Sequence, residues 1–207
     1  MSAKPSSTGE RLQHLNKPKI QHCSAVTISL MRFMIHSTRH ISLVMVCALA
    51  LMACSPSLNW RELRNAEARF TVLLPAKPAN HSRTVALGDM KVDMHMTAAE
   101  ADEMNFAVAS ALIDDAAQRS QALELMQHAM VKNIGGSITH QKTLKLKDGT
   151  EATEIQASGT LANGLQMTLF ARFAMKDQRV YQAVAIGPSR KLSAEIADTF
   201  LASFALQ

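Results

Sequence analysis

The stretch Met104-Asn105-Phe106-Ala107-Val108-Ala109-Ser110-Ala111-Leu112-Ile113 decides the fold. In an extended chain successive side chains point to opposite faces. Met104, Phe106, Val108 and Leu112 then share one face, and Ala107, Ala109, Ala111 and Ile113 share the other. Both faces are apolar. Such a strand belongs in the middle of a sheet covered on both sides, with alanines beneath one cover and larger residues beneath the other. Upstream, residues 81–87, the pair Gly88-Asp89 and residues 90–97 read as a hairpin with a tight turn. Met90, Val92, Met94 and Met96 face one way in its second strand, and Lys91, Asp93, His95 and Thr97 the other. That alternation predicts one buried face. Residues 68–74 form another β-rich run, stopped by Pro75 and Pro78, and residues 60–64 fit either its hairpin partner or a helical turn.

Downstream, Asp114 and Asp115 supply the acidic start of a helix running to about Ile134. Leu123, Met126, Met130 and Ile134 recur in it at helical spacing, and Gly135-Gly136 is its stop. Three turn signals, Asp148-Gly149, Asn163-Gly164 and Lys176-Asp177, divide residues 138–186 into four strands of an antiparallel meander. Pro188 and Ser189 open the last helix, Ser189 as its cap, with Leu192, Ile196, Phe200 and Phe204 as its apolar stripe. The predicted class is α+β: an antiparallel sheet of about seven or eight strands carrying a helix on each face.

A length of 207 residues, 47% hydrophobic and 19% charged, allows one ordinary domain plus a short extra segment. The net charge of +5 belongs to the leader: residues 1–53 carry six Lys/Arg and one acid, residues 54–207 sixteen of each. The folded part has no surplus charge to neutralise phosphates, so nucleic acid is not an expected partner. No Walker loop, G-x-G-x-x-G or C-x-x-C occurs. The one serine resembling a hydrolase elbow, in Gly187-Pro188-Ser189-Arg190-Lys191, lacks the second glycine and follows a proline. No catalytic residue is predicted.

Arg32, Arg39 and His40 precede the apolar run 41–53, which closes in Leu51-Met52-Ala53-Cys54. This tetrapeptide resembles the lipobox of bacterial lipoproteins, with Leu51 and Ala53 as its defining positions and Met52 an acceptable fit. The resemblance implies that the leader is cut before Cys54, whose sulfur carries a diacylglycerol and whose amino group usually takes a further acyl chain. That covalent lipid is the only expected cofactor. An apolar run of about thirteen residues is too short to span a hydrocarbon core, whereas two or more acyl chains anchor stably. Ser55 in place of Asp implies the outer membrane, facing the periplasm.

The expected organisation is thus residues 1–30 outside the native product or unstructured, 31–53 a signal peptide, 54–59 a lipidated tether and 60–207 the domain. Met31 or Met34 gives a signal of normal proportions. Cys23 and Cys47 fall in the leader, leaving Cys54 as the mature chain's single cysteine and no disulfide within it. Residues 55–59 span at most roughly 17 Å at about 3.5 Å per residue, so Trp60, Arg61 and Arg64 could reach headgroups. The favoured role for Trp60 is a core anchor.

Phe70-Thr71-Val72-Leu73-Leu74-Pro75, the long helix followed by a meander, and Ala185-Ile186-Gly187-Pro188 leading into Phe200-Leu201-Ala202-Ser203-Phe204 are similar to PsbP-like domains, including DcrB-like bacterial lipoproteins. The resemblance spans about residues 60–207 and implies an α/β/α sandwich. It also implies an accessory or assembly role without catalytic residues, the partner being an envelope protein or other envelope component. The alternative is a periplasmic small-ligand or metal-binding protein. Asp93 and His95 share a strand face and could begin a metal site, but two ligands do not complete one. Eight of the thirteen methionines follow Cys54, and thioethers suit Cu(I), which directs attention to Met90, Met94, His95 and Met96. Periodicity turns His95 away from the methionine face, so the methionines are expected to fill core gaps and no metal is predicted. His81 and His140 stand apart, Glu124 and His128 read as a surface pair at helical spacing, and Gly135-Gly136 as a helix terminator only.

Overall fold

The computed structural model describes residues 58–207. Cys23, Cys47, Cys54 and the lipobox residues Leu51 and Ala53 lie outside the described residues. Strands β1 (Arg61–Asn65) and β2 (Phe70–Leu74) form a hairpin, followed by β3 (Ala79–Leu87), β4 (Met90–Ala101) and β5 (Met104–Leu112). Helix α1 (Ala116–Asn133) leads into the meander β6 (Gly136–Lys145), β7 (Glu151–Thr160), β8 (Gln166–Lys176) and β9 (Arg179–Pro188). Helix α2 (Ala194–Ser203) and the short β10 (Ala205–Leu206) close the chain.

Seven strands form one antiparallel sheet in the order β3-β4-β5-β9-β8-β7-β6. As predicted, β5 is interior, flanked by β4 and β9. Its Met104, Phe106 and Val108 enter a core with Tyr181, Phe200 and Phe204 beneath α2. Ala109, Ala111 and Ile113 enter a second core with Ala122 and Met126 of α1. Phe106 is fully buried, edge-on to Trp60 at 5.7 Å and to Phe200 at 5.4 Å between ring centroids. Trp60 is therefore a core anchor at the rim. Both described cores and every described strand pairing lie within one compact unit, residues 56–207, which holds two hydrophobic cores of its own.

The hairpin reading of residues 60–64 holds, but β1 and β2 do not join the main sheet. They form a three-stranded sheet, order β1-β2-β10, that packs with α2 over one face. Phe70, Val72 and Leu74 alternate inward there. Leu58 packs on that core and the Asn59 N–H donates to the Pro75 carbonyl at 2.8 Å, so these two tether residues belong to the folded unit.

Several local expectations are corrected. Thr97 is 3% exposed rather than on an open face, because from Thr97 and Ala99 onward β4 is covered on its second side. Its hydroxyl donates to Asn80 Oδ1 at 2.8 Å. Leu112 is 57% exposed, since it ends β5 beyond the α2 layer. Ser189 does not cap a helix: Pro188 is the last residue of β9, Ser189 lies in a turn with its hydroxyl against Thr168, and the cap is Ser193, which accepts from the Ile196 N–H. Strand β4 also runs past Thr97 to Ala101, and the two-residue turn Asp102-Glu103 holds both φ angles positive, at 50° and 65°.

Helix α1 is capped by Asp115, which accepts from the Gln118 N–H at 2.8 Å, and ends at Gly135 with φ 58°. Gly136 is more than a terminator. It pairs with Gly159 across β6 and β7, and a methyl group on Gly159 would collide with the Ile134 carbonyl oxygen and lie 2.8 Å from Gly136 Cα. The two glycines let the helix end press against the β7 backbone.

Candidate binding cleft

Register places four residues in one row across the α1 face of the sheet. His81 of β3 stands opposite Met96 of β4, Met96 opposite Ala109 of β5, and Ala109 opposite Gln182 of β9. In the neighbouring row Ala98 stands opposite Ala107, and Ala107 opposite Val184. Directly opposed residues share a face. Alanines reach least far from the sheet, so Ala98, Ala107 and Ala109 make a trough. Helix α1 lies chiefly over β6, β8 and β9 and leaves this half of the sheet partly open. The result is a cleft of about 420 Å³, roofed by Met126 and Met130 and walled by Met94, Met96, Val184 and Ile186. Its volume falls within the usual range of small-molecule sites.

Along the row from His81 to Gln182 the polar groups sit at the two ends, while Asn105 and Asn133 line the cleft beside that row. His81 and Arg83 are exposed on β3, the edge strand. At the inner end Gln182 is half-buried, and its Oε1 is wholly buried without a hydrogen-bond partner among the described residues. A buried acceptor without a donor is costly, which makes this atom a point where an incoming donor would be favoured. No carboxylate among the described residues lines the cleft.

Of the four residues considered for a metal, Met94 and Met96 face the cleft, whereas Asp93 and His95 point to the opposite side. There Asp93 accepts from Thr84 Oγ1 at 2.6 Å, and His95 Nδ1 bonds Ser82 Oγ at 2.9 Å. The structure does not bring the four together. Among the described residues no three His, Cys, Asp or Glu side chains converge. In the sequence His81 stands apart, and nothing there marks Arg83 or Gln182. Only strand register could have found them, because it alone joins β3 to β9 through two intervening strands.

On the other flank of α1 a second groove is lined by Glu124, His128, Phe173 and the exposed Ile138 and Met175. Glu124 and His128 are both exposed, and among the described residues no ion pair joins them. The displaced carboxylates lie elsewhere. Burial raises Glu154, but hydrogen bonds from Lys142 and Arg172 outweigh it and hold the carboxyl below its ordinary value. Burial likewise raises Asp148, and Lys176 and Thr150 reverse the sign. Both are ion pairs between strands or turns. Arg172 also donates to the Leu201 carbonyl near the end of α2, joining sheet to helix. Burial raises the Tyr181 phenol in the α2-side core.

No protein-family model matches the chain, and no curated protein matches its sequence. Among solved structures, the solution structure of cyanobacterial PsbP (CyanoP) from Synechocystis sp. PCC 6803 aligns at a TM-score of 0.51, with 11% identity, over 75% of this chain and 96% of that one. The fold is PsbP-like. A crystal structure of a protein of unknown function, PA94 from Pseudomonas aeruginosa, aligns at a TM-score of 0.34, with 13% identity, over 64% of this chain and 85% of that one. Within the PsbP-like domain, the sheet and the two helix layers position the cleft on the α1 face, opposite the three-stranded sheet.

Proposed function

We propose that the chain is an envelope lipoprotein whose PsbP-like domain is a non-enzymatic binding module, the cleft beneath α1 being its binding site. The observation that carries this reading is the cleft itself: a mainly apolar trough of about 420 Å³ with a few polar groups, His81, Arg83, Asn105, Asn133 and Gln182, along its lining. A site built this way gains affinity from apolar contact and orientation from a few polar groups. The carboxylates with displaced pKa support the non-enzymatic part, because they tie strands and turns together instead of converging on the cleft. Anchoring rests on Leu51-Met52-Ala53-Cys54, and the outer-membrane address on Ser55. The partner is accordingly an envelope component small enough to enter the trough.

The test is binding of the neutral fluorescent probe N-phenylnaphthylamine to residues 56–207. Saturable fluorescence enhancement is expected, and Ala107→Phe, which fills the trough at a half-exposed position, should abolish it while the melting transition is kept. Enhancement unaffected by Ala107→Phe would count against the cleft.

A second reading has its own observation: Met94, Met96, Met126 and Met130 line the cleft with His81, a soft donor set for Cu(I). Arg83 in the same cleft weighs against a cation.

A further inference from the structure

We propose that the occupant of the cleft is a single-chain amphiphile with an anionic headgroup, bound with the headgroup at His81 and Arg83 and with a hydroxyl of its chain at Gln182. The inference rests on the binding-module reading and names its ligand class. The row His81–Met96–Ala109–Gln182 crosses three strand spacings, roughly 14 Å at about 4.8 Å each. It is polar at both ends and apolar between. A globular apolar ligand would leave the ends unused, whereas an extended chain with a polar group at each end matches the row.

Charge selects the headgroup. Arg83 presents a permanent cation at the edge strand, no described carboxylate lines the cleft, and among the described residues none pairs with Arg83. Arg83 shares this lack of an acid with other surface cations, such as Arg61 and Lys91, but it alone of the described arginines and lysines lines the cleft. A guanidinium beside an apolar trough offers two parallel donors to a carboxylate or phosphate. At the inner end Gln182 Oε1 requires a donor, which an alkyl chain lacks and a hydroxyl supplies. The walls suit a flexible chain, since thioethers at Met94, Met96, Met126 and Met130 repack around varied shapes.

The experiment is calorimetric titration of residues 56–207 with dodecanoate, ω-hydroxydodecanoate, dodecanol and dodecyltrimethylammonium, each below its micelle concentration. One-to-one binding of dodecanoate is expected, with the cationic amphiphile weaker by about ten-fold or more. Arg83→Gln, at an exposed position that leaves the cores intact, should weaken dodecanoate by about ten-fold and leave dodecanol unchanged. The ω-hydroxy acid should bind tighter than dodecanoate, and Gln182→Leu should erase that difference. Equal binding of the anionic, neutral and cationic chains, all blocked by Ala107→Phe, would overturn the proposal and leave the binding module standing. No binding of any chain, or binding that Ala107→Phe does not touch, would overturn both.

Discussion

Phe106 shows how much a single side chain carries here. It is fully buried between Trp60 and Phe200, and each ring meets it edge-on, so truncation opens a cavity in the α2-side core. Phe106→Ala should lower stability by about 3–5 kcal/mol in chemical denaturation. An unchanged transition would contradict the placement of β5. Met94 and Met96 make the opposite case. Replacement by leucine keeps volume and apolarity, so Met94→Leu and Met96→Leu should each cost under about 1.5 kcal/mol. A Cu(I) competition titration of residues 56–207 beside the double variant should show no stoichiometric binding by either. Tight binding that the double variant loses while still folded would move soft-metal capture ahead of the amphiphile. Alternation alone predicted that His95 turns away from these methionines, because it is a property of the strand. That His81 stands beside Met96 was not legible, since it depends on which residue of the neighbouring strand comes opposite.

At the scale of elements most turns were legible, including the glycine-free Lys176-Asp177 between β8 and β9, whereas Asp102-Glu103 was not. Asp148-Gly149 and Asn163-Gly164 separate β6 from β7 and β7 from β8 as the sequence indicates, because those dipeptides suit tight turns by local chemistry. Asp102-Glu103 carries no glycine yet joins β4 to β5 with both residues left-handed. Ion pairs from Lys191 to Asp102 at 2.6 Å and from Arg190 to Glu103 at 2.5 Å hold it from the loop after β9, a partnership invisible in local sequence. The ladder Lys142–Glu154–Arg172 ties β6, β7 and β8 together and sets an acid limit on stability. The folded-state pKa of Glu154 lies below its ordinary value of 4.5, so its contribution is present above that pH and is lost as pH falls through the folded value. The wild-type melting temperature should therefore fall on acidification below about pH 4.5, and Glu154→Gln should flatten that dependence while costing about 2–3 kcal/mol at neutral pH. A variant as acid-sensitive as wild type would assign the effect to other carboxylates.

For the whole molecule, the layered α+β architecture was legible because a strand apolar on both faces demands two covers. The separate three-stranded sheet was not, because it unites segments from opposite ends of the domain. The same separation of concerns applies to the anchor. The described members of both cores all lie within residues 58–207, and Cys54→Ser should abolish incorporation of labelled palmitate and release the protein from membranes, with the melting transition of the domain unchanged. Label retained by the variant would refute the lipid assignment. The short β10 has a consequence in time. Strand β2 holds β1 on one side and Ala205-Leu206 on the other, and the Gln207 N–H donates to the Arg69 carbonyl. A chain emerging from a ribosome or a translocon therefore delivers the first strands long before their last partner. Until Phe204 and β10 arrive, β2 keeps an open edge and Phe70 lacks the cover of Phe204, 6.2 Å away between ring centroids. Completion waits on β10, making this a late-closing topology in which loss of Ala205, Leu206 and Gln207 would leave the edge of β2 open and the nascent domain adhesive.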